Sequence, residues 1–96
     1  MNNKEILELM LSSRLIAILR KVALEDIEPT AGALREGGVI FQEVTFCHES
    51  GAFLRETVDA IARIRRRFEG EIFPGAGTVL TPEQVDMAVD AGAEYI

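Results

Sequence analysis

The fold of this chain is decided by one stretch, Val39-Ile40-Phe41-Gln42-Glu43-Val44-Thr45-Phe46. The stretch is rich in β-branched and aromatic residues, which favours a buried strand. A Gly37-Gly38 turn precedes it and the polar run Cys47-His48-Glu49-Ser50 follows it. The order helix, turn, strand, loop, helix is typical of a parallel α/β protein. Glu43 is a carboxylate that is costly to bury in such a strand, which indicates a specific task.

Composition narrows the classes of protein that fit. The chain has 96 residues, enough for one domain over residues 1–96, and 48% of them are hydrophobic, as in soluble globular proteins. The net charge of −6 disfavours nucleic acid or an anionic membrane as a partner. A single cysteine, Cys47, favours a reducing, cytoplasmic compartment. No apolar run approaches the roughly 20 residues that span a bilayer, and we expect no signal peptide.

Hydrophobic periodicity predicts four parallel strands alternating with three helices, after an N-terminal helix. The helices are expected over residues 3–11, 24–36, 51–68 and 82–91. Ser50 and Thr81 are the predicted N-caps of the last two helices. The strands are expected over residues 15–19, 39–46, 72–79 and from residue 93 onward. The first of these is a continuous apolar run, which predicts a central strand covered on both faces.

Two architectures fit this alternation, an open doubly wound sheet and the first half of a (β/α)₈ barrel. A domain that ends on an apolar parallel strand would expose a sheet edge and a face, so the ending favours the half-barrel. Ligands gather beyond the carboxyl ends of the strands in both architectures. The segments to inspect are therefore Leu19-Arg20, residues 43–47 and residues 75–78.

Each candidate segment has a functional and a structural interpretation. Glu43 is either a general acid/base or a structural carboxylate paired with Arg20. Gly75-Ala76-Gly77-Thr78 either lets a ligand approach the backbone, with its threonine binding a carboxylate, or packs tightly against neighbouring strands. The segment does not continue as a dinucleotide or P-loop motif. Adjacent strand residues point apart, so Cys47 and His48 do not predict a nucleophilic pair, and one histidine is a poor basis for a metal site.

Four segments carry a family resemblance. They are Ala17-Ile18-Leu19-Arg20, Glu36-Gly37-Gly38 leading to Glu43-Val44-Thr45, Gly75-Ala76-Gly77-Thr78-Val79-Leu80-Thr81 and Ala91-Gly92-Ala93-Glu94-Tyr95-Ile96. In order and spacing they resemble the bacterial 2-keto-3-deoxy-6-phosphogluconate and 4-hydroxy-2-oxoglutarate aldolases. The resemblance implies a class I aldolase on a (β/α)₈ TIM barrel, usually a homotrimer, of which this chain is the N-terminal half. Such enzymes of carbohydrate metabolism cleave a 2-keto-4-hydroxy acid to pyruvate and an aldehyde without metal or cofactor.

The resemblance also implies roles for individual residues. Glu43 matches the proton-shuttling glutamate of the family, so it is the predicted catalytic residue. Thr78 matches the threonine that holds the pyruvyl carboxylate, and Thr45 and Gly77 are predicted to contact substrate beside it. An arginine often stands two residues after the family's Glu-Val-Thr segment. It is absent here, which leaves Arg20 as the substitute cation for the substrate.

The chain departs from the family at two points. Cys47 stands where the family often has that arginine. The family's Schiff-base lysine lies on the sixth strand, whereas Lys4 and Lys21 are the only lysines here and neither matches it. We therefore predict that this chain alone does not catalyse the aldol reaction. The alternatives are a non-catalytic α/β module that self-associates through its open edges, and a different phosphate-handling barrel enzyme, for which the sequence holds no loop evidence.

Overall fold

A computed structural model describes residues 1–96 of the chain. A parallel sheet in the order β1-β2-β3 consists of β1 (Ile16–Leu19), β2 (Phe41–Thr45) and β3 (Phe73–Gly77). The helices are α1 (Asn3–Ser13), α2 (Ile27–Glu36), α3 (Gly51–Arg67) and α4 (Pro82–Ala91), and a short 3₁₀ helix, Leu24–Asp26, precedes α2. The alternation of parallel strands and helices confirms the predicted α/β class.

Helices α3 and α4 begin at the predicted residues, whereas α1 extends beyond its predicted end to Ser13 and α2 begins only at Ile27, after the 3₁₀ turn. The Ser50 and Thr81 hydroxyl oxygens accept the backbone N–H three residues on, at 3.4 Å and 3.2 Å. Pro82 occupies the first turn of α4, where its missing N–H costs nothing. Helix α4 ends at Gly92, whose φ of 106° is a left-handed conformation that glycine adopts without a Cβ penalty. Both predicted N-caps are confirmed.

The strand register divides the sheet into two faces. Glu43 pairs with Ile18 of β1 and with Gly75 of β3, so these three residues share one face, here called the site face. The opposite face packs against the helices. Its buried apolar cluster comprises Leu19, Val44, Phe46 and Ala76 from the strands and Ile27, Ala31, Ala60, Ile61, Ile64, Ile72 and Ala88 from the helices and turns. The main core thus lies under the helices and fixes the strands whose other side carries Glu43.

One strand prediction is wrong and another is met only in part. Strand β1 is not covered on both faces, because it pairs with β2 alone, and Ile16 and Ile18 are 42% and 62% exposed. The segment from residue 93 forms one isolated bridge, between Gly75 and Tyr95, so the sheet has three strands rather than four. An apolar run predicts a strand, but the contacts that bury it come from the rest of the fold. None of the helices combines the length and apolar character needed to cross a membrane.

Candidate functional site

Glu43 occupies the half-buried centre of the site face, two residues before β2 ends. Its side chain leans along the sheet toward the carboxyl end of β3 and covers Gly77. A Cβ at Gly77 would lie 2.7 Å from Cδ of Glu43 and 3.1 Å from its Cγ. The missing side chain of Gly77 is therefore what makes room for the carboxylate at the edge where ligands of α/β proteins gather.

The Glu43 carboxylate has no cation partner. The four ion pairs of the chain are Lys21–Glu49, Arg35–Glu71, Arg65–Glu69 and Arg65–Glu94. Arg20 is exposed after the end of β1 and joins none of them, so the structural interpretation of Glu43 as the partner of Arg20 is wrong. A carboxylate without a bound cation keeps its lone pairs available to exchange a proton with a ligand.

Thr45 adds an unpaired hydroxyl to the same face. It closes β2 opposite Gly77 and is 4% exposed, yet its Oγ1 has no hydrogen-bond partner. The Thr57 hydroxyl of α3 donates to the Thr45 carbonyl oxygen at 3.2 Å, which fixes the end of the strand. Buried polar atoms are nearly always paired, so an unpaired hydroxyl beside a carboxylate is a candidate ligand contact.

Thr78, the first residue after β3, has a strained backbone. Its φ is 53°, and a β-branched residue rarely adopts a positive φ because its Cβ substituents crowd the backbone. Strain of this kind costs about 1–3 kcal/mol and concentrates at functional sites. The exposed Thr78 therefore fits the predicted ligand-binding role, although it makes no hydrogen bond to Glu43.

Lys21 lies at the same edge, one residue beyond Arg20, also with a positive φ of 56°. Its Nζ donates to a Glu49 carboxylate oxygen at 2.5 Å. That hydrogen bond, with the charge of Glu49, raises the pKa of the Lys21 ammonium. Lys21 is therefore protonated at neutral pH and is a poor nucleophile.

Tyr95 is a site residue that the sequence interpretation missed. Its ring fills the space where Gly75 would carry a Cβ, with Cε1 at 2.5 Å from that position. Burial raises the pKa of Tyr95, and the nearby charge of Glu43 raises it further. One sequence feature could have indicated that a side chain from elsewhere fills this space. Gly75 and Gly77 alternate along the strand, which places two glycines on one face and opens space there.

The segment that carries Tyr95 is anchored from two sides. The Ala76 N–H donates to the Tyr95 carbonyl at 3.1 Å, and the Glu94 N–H donates to the Pro74 carbonyl at 2.7 Å. The Glu94 carboxylate also pairs with Arg65 of α3. Backbone and side-chain contacts thus hold the tyrosine at the level of Glu43.

Cys47 and His48 do not form a reactive pair. His48 Nε2 lies 3.1 Å from Gln84 Oε1, which links the loop after β2 to the start of α4. The Cys47 thiol is free and half-buried. The structure contains no group of three or more His, Cys, Asp or Glu side chains arranged to hold a metal ion.

The predicted site residues fall into two groups. The structure brings Glu43, Thr45 and Gly77 together on the site face at the carboxyl ends of two paired strands. Arg20 and Thr78 lie at the same edge, after β1 and β3, without contacting Glu43 through an ion pair or hydrogen bond. The arrangement supplies a free carboxylate with a hydroxyl group and a cation around it, which suits proton transfer to a small anionic ligand.

Comparison with known proteins identifies the family. The model of the KDPG and KHG aldolase family matches residues 6–96. The 2-dehydro-3-deoxy-phosphogluconate aldolase of Treponema pallidum (strain Nichols) is 40% identical over 83 residues, which cover 86% of this chain and 36% of that protein. The protein of the same name in Haemophilus influenzae is 32% identical over 93 residues, covering 97% of this chain and 41% of the relative.

A solved structure agrees with this assignment. The structure described as native KDPGal superposes with a TM-score of 0.69 at 29% identity, covering 82% of this chain and 35% of the other. The chain thus spans about two fifths or less of the length of these relatives. Its α/β fold matches the corresponding part of that aldolase structure, and the chain belongs to the KDPG and KHG aldolase family.

Proposed function

We propose that this chain forms the N-terminal half of the (β/α)₈ barrel of a class I aldolase, as one part of a single domain. The reaction is cleavage of a 2-keto-4-hydroxy acid, such as 2-keto-3-deoxy-6-phosphogluconate or 4-hydroxy-2-oxoglutarate, to pyruvate and an aldehyde. The observation that carries the proposal is the half-buried Glu43 carboxylate, which has no cation partner and lies over Gly77 at the carboxyl edge of the sheet. Trimeric assembly and a cytoplasmic location are proposed from the family resemblance alone.

Glu43 has the role of proton carrier in this proposal. Cleavage of the carbon–carbon bond requires a base to take the proton of the C4 hydroxyl, while the bonding electrons move toward the keto carbon. The same group then returns a proton to the methyl carbon of pyruvate. The free lone pairs of Glu43 suit both steps, because no ion pair has to break first.

The carboxylate of the substrate is bound at the strand ends. Thr45 offers its unpaired hydroxyl and Thr78 offers a hydroxyl and a backbone N–H. Gly77 contributes by making room for Glu43 beside the ligand, and the exposed Arg20 supplies a positive charge. Hydrogen bonds from these donors would orient the keto acid with its reacting carbons near Glu43.

The nucleophile is not supplied by the residues of this chain. Lys4 is exposed in α1, and Lys21 is held as an ammonium by Glu49. The Schiff base, which accepts the electrons of the broken bond, requires a free amine on the site. We therefore propose that the 96-residue chain alone forms no pyruvyl adduct and is inactive.

The experiment has two arms. Borohydride reduction of the 96-residue chain with pyruvate should leave its intact mass unchanged. In a chimaera, this chain replaces the matched segment of the Haemophilus influenzae relative, and cleavage of both keto acids is measured. Activity should be present and should fall about a hundredfold or more in Glu43→Gln. The matched control, Glu8→Gln, changes an exposed carboxylate of α1 and should retain activity.

Either of two results would contradict the proposal. One is a borohydride-trapped adduct on the 96-residue chain alone. The other is a chimaera in which Glu43→Gln is as active as Glu8→Gln. The two substrates are tested side by side, so the same assay ranks the six-carbon phosphorylated acid against the five-carbon acid.

A second candidate function is a non-catalytic module that self-associates through β1. The observation that favours it is the edge position of β1, with Ile16 and Ile18 42% and 62% exposed. Sedimentation at several concentrations tests it. A stable dimer that Ile18→Lys converts to a monomer supports the module, and a wild-type monomer rules it out.

A further inference from the structure

Three residues on neighbouring strand segments are paired in register on the site face. Glu43 of β2 pairs with Gly75 of β3, and Gly75 forms the bridge with Tyr95. A Cβ at Gly75 would collide with Cζ, Cε1 and Cε2 of Tyr95, the three ring carbons nearest the hydroxyl. The hydroxyl end of the ring therefore lies across β3, and the absence of a side chain at Gly75 lets it face Glu43.

The Tyr95 hydroxyl is buried and has no hydrogen-bond partner. An unpaired buried polar atom costs about 1–3 kcal/mol, so it calls for a partner that the static geometry does not reach. The ring packs edge-on against Phe41, at 5.9 Å between centroids, and hydrogen bonds hold the backbone beside it. These contacts favour movement of the partner over movement of the ring.

Glu43 is the one charged group that faces the phenol. The adjacent Glu94 is paired with Arg65, and β3 contains no titratable side chain. Helix α1 lines part of the cleft beside Tyr95, and none of the helix residues that do so is ionisable: Asn3, Ile6, Leu7 and Met10. Of the charged groups near Tyr95, Glu43 of β2 is thus the one without a partner whose charge acts on the phenol.

A rotation of the Glu43 side chain would turn its carboxylate toward that proton, because the two residues flank Gly75 in the register. In the structure it covers Gly77, two residues along β3 from Gly75. The terminal torsion of a glutamate is broad, and the torsions before it have staggered alternatives, so the carboxylate can move without displacing the backbone. Gly77 adds no side chain at one end of this movement, and at the other end Gly75 leaves its space to the Tyr95 ring alone.

We propose that Tyr95 is a positioning residue for Glu43, donating a hydrogen bond from its hydroxyl to the carboxylate when the latter turns from Gly77 toward Gly75. Glu43 then has two positions on the site face, one at the strand ends and one against the phenol. A hydrogen bond to an ionised acceptor is about twice as strong as one between neutral groups, so Tyr95 holds the carboxylate between proton transfers. The inference rests on the proposed function of Glu43 and deepens it.

The chain itself provides the readout. It contains one tyrosine and no tryptophan, so the absorbance change on tyrosine ionisation reports Tyr95 alone. Glu43→Gln removes the charge that opposes ionisation and should lower the midpoint of this titration by about one pH unit. The matched control is Glu94→Gln, which removes a carboxylate next to Tyr95 in sequence and should leave the midpoint in place. An unchanged midpoint in Glu43→Gln would overturn the proposal.

A second measurement distinguishes a hydrogen bond between Tyr95 and Glu43 from a purely electrostatic effect of the Glu43 charge on Tyr95. In proton NMR, a hydroxyl proton bound to a carboxylate and shielded from water gives a separate downfield resonance. We expect this resonance in the wild-type chain, its loss in Tyr95→Phe and a change of position in Glu43→Gln. Circular dichroism confirms that each variant is folded. Absence of the resonance from the folded wild-type chain would overturn the hydrogen bond.

Failure of this inference and failure of the aldolase proposal give different results. The tyrosine titration and the NMR resonance need neither substrate nor turnover, so they test the contact between Tyr95 and Glu43 by itself. Activity of the chimaera tests the reaction, and the two results are read independently.

Discussion

The Glu43 carboxylate occupies the space that a side chain at Gly77 would need: a Cβ there would lie 2.7 Å from Cδ of Glu43. The two residues belong to adjacent strands, and the absence of a side chain at Gly77 lets the Glu43 carboxylate lie there. A glycine that is part of a site in this way contributes geometry rather than chemistry, and its substitution should affect function more than stability.

Gly77→Ala should displace the Glu43 carboxylate. Because the colliding atoms are the end of a flexible side chain, the carboxylate can move aside, and the free energy of unfolding should change by no more than about 1 kcal/mol. In the chimaera, kcat should fall about tenfold or more, because proton transfer is sensitive to misplacement of the base. Urea unfolding of the chain and steady-state kinetics of the chimaera measure the two effects.

Gly51→Ala is the control for this prediction. Gly51 begins α3, and a Cβ there would meet no atom within 4 Å. The Gly51→Ala variant should preserve both the free energy of unfolding and kcat. A Gly77→Ala variant as active as Gly51→Ala would show that Glu43 does not depend on the space at Gly77.

Gly75→Ala should be more destabilising than Gly77→Ala. The added Cβ meets the Tyr95 ring, with Cε1 at 2.5 Å, and the ring is held by its edge-on contact with Phe41. Because a rigid ring cannot move aside as a carboxylate can, we expect a loss of about 1–3 kcal/mol. Urea unfolding measures both variants under one condition. Equal losses at the two glycines would contradict the difference in mobility.

The helix caps could be predicted from the sequence because they act locally. Ser50 and Thr81 each accept a hydrogen bond from the backbone N–H three residues on. The cap and its partner therefore lie within one helical turn of sequence, where a local motif identifies both. The position of Glu43 at the strand ends follows equally from the order of strand and loop. These features depend on few residues and little on the rest of the fold.

Features that join distant segments could not be predicted in this way. The edge position of Ile18 depends on which strands pair with β1, and an apolar run is compatible with either an edge or a centre. The approach of Tyr95 to Glu43 requires the register of two strand pairings through Gly75. Periodicity predicts a strand and its faces, but it does not fix which residues of other strands stand level with it.

Tyr95 should make the chain less stable at alkaline pH. Burial and the charge of Glu43 raise the pKa of Tyr95 above its ordinary value of 10.0. Its contribution to stability is fully present below that value. Above it, the unfolded chain loses the tyrosine proton while the folded chain keeps it, so the free energy of unfolding falls, by at most about 1.4 kcal/mol per pH unit.

Urea unfolding from pH 9 to pH 12, in roughly half-unit steps, tests this linkage. Tyr95→Phe lacks the titrating group and should show a shallower decline over the same range, while retaining the alkaline contribution of Lys21. Parallel declines in the two proteins would contradict the assignment of the effect to Tyr95.

Thr78→Gly should separate stability from binding. Glycine relieves the strain of a β-branched residue at a φ of 53°, and the relief exceeds the entropy lost in ordering glycine, so the free energy of unfolding should rise by about 1 kcal/mol. The same change removes the hydroxyl that we assign to the substrate carboxylate. In the chimaera, KM should therefore rise about tenfold or more.

Thr30→Gly is the matched control, because Thr30 lies inside α2, where glycine is less favourable than threonine by roughly a few tenths of a kcal/mol. The two variants make the same chemical change and should shift stability in opposite directions. If Thr78→Gly were destabilised as much as Thr30→Gly, the positive φ would store no strain. A stabilised Thr78→Gly variant with raised KM would show that the strained backbone is retained because the threonine hydroxyl binds the ligand.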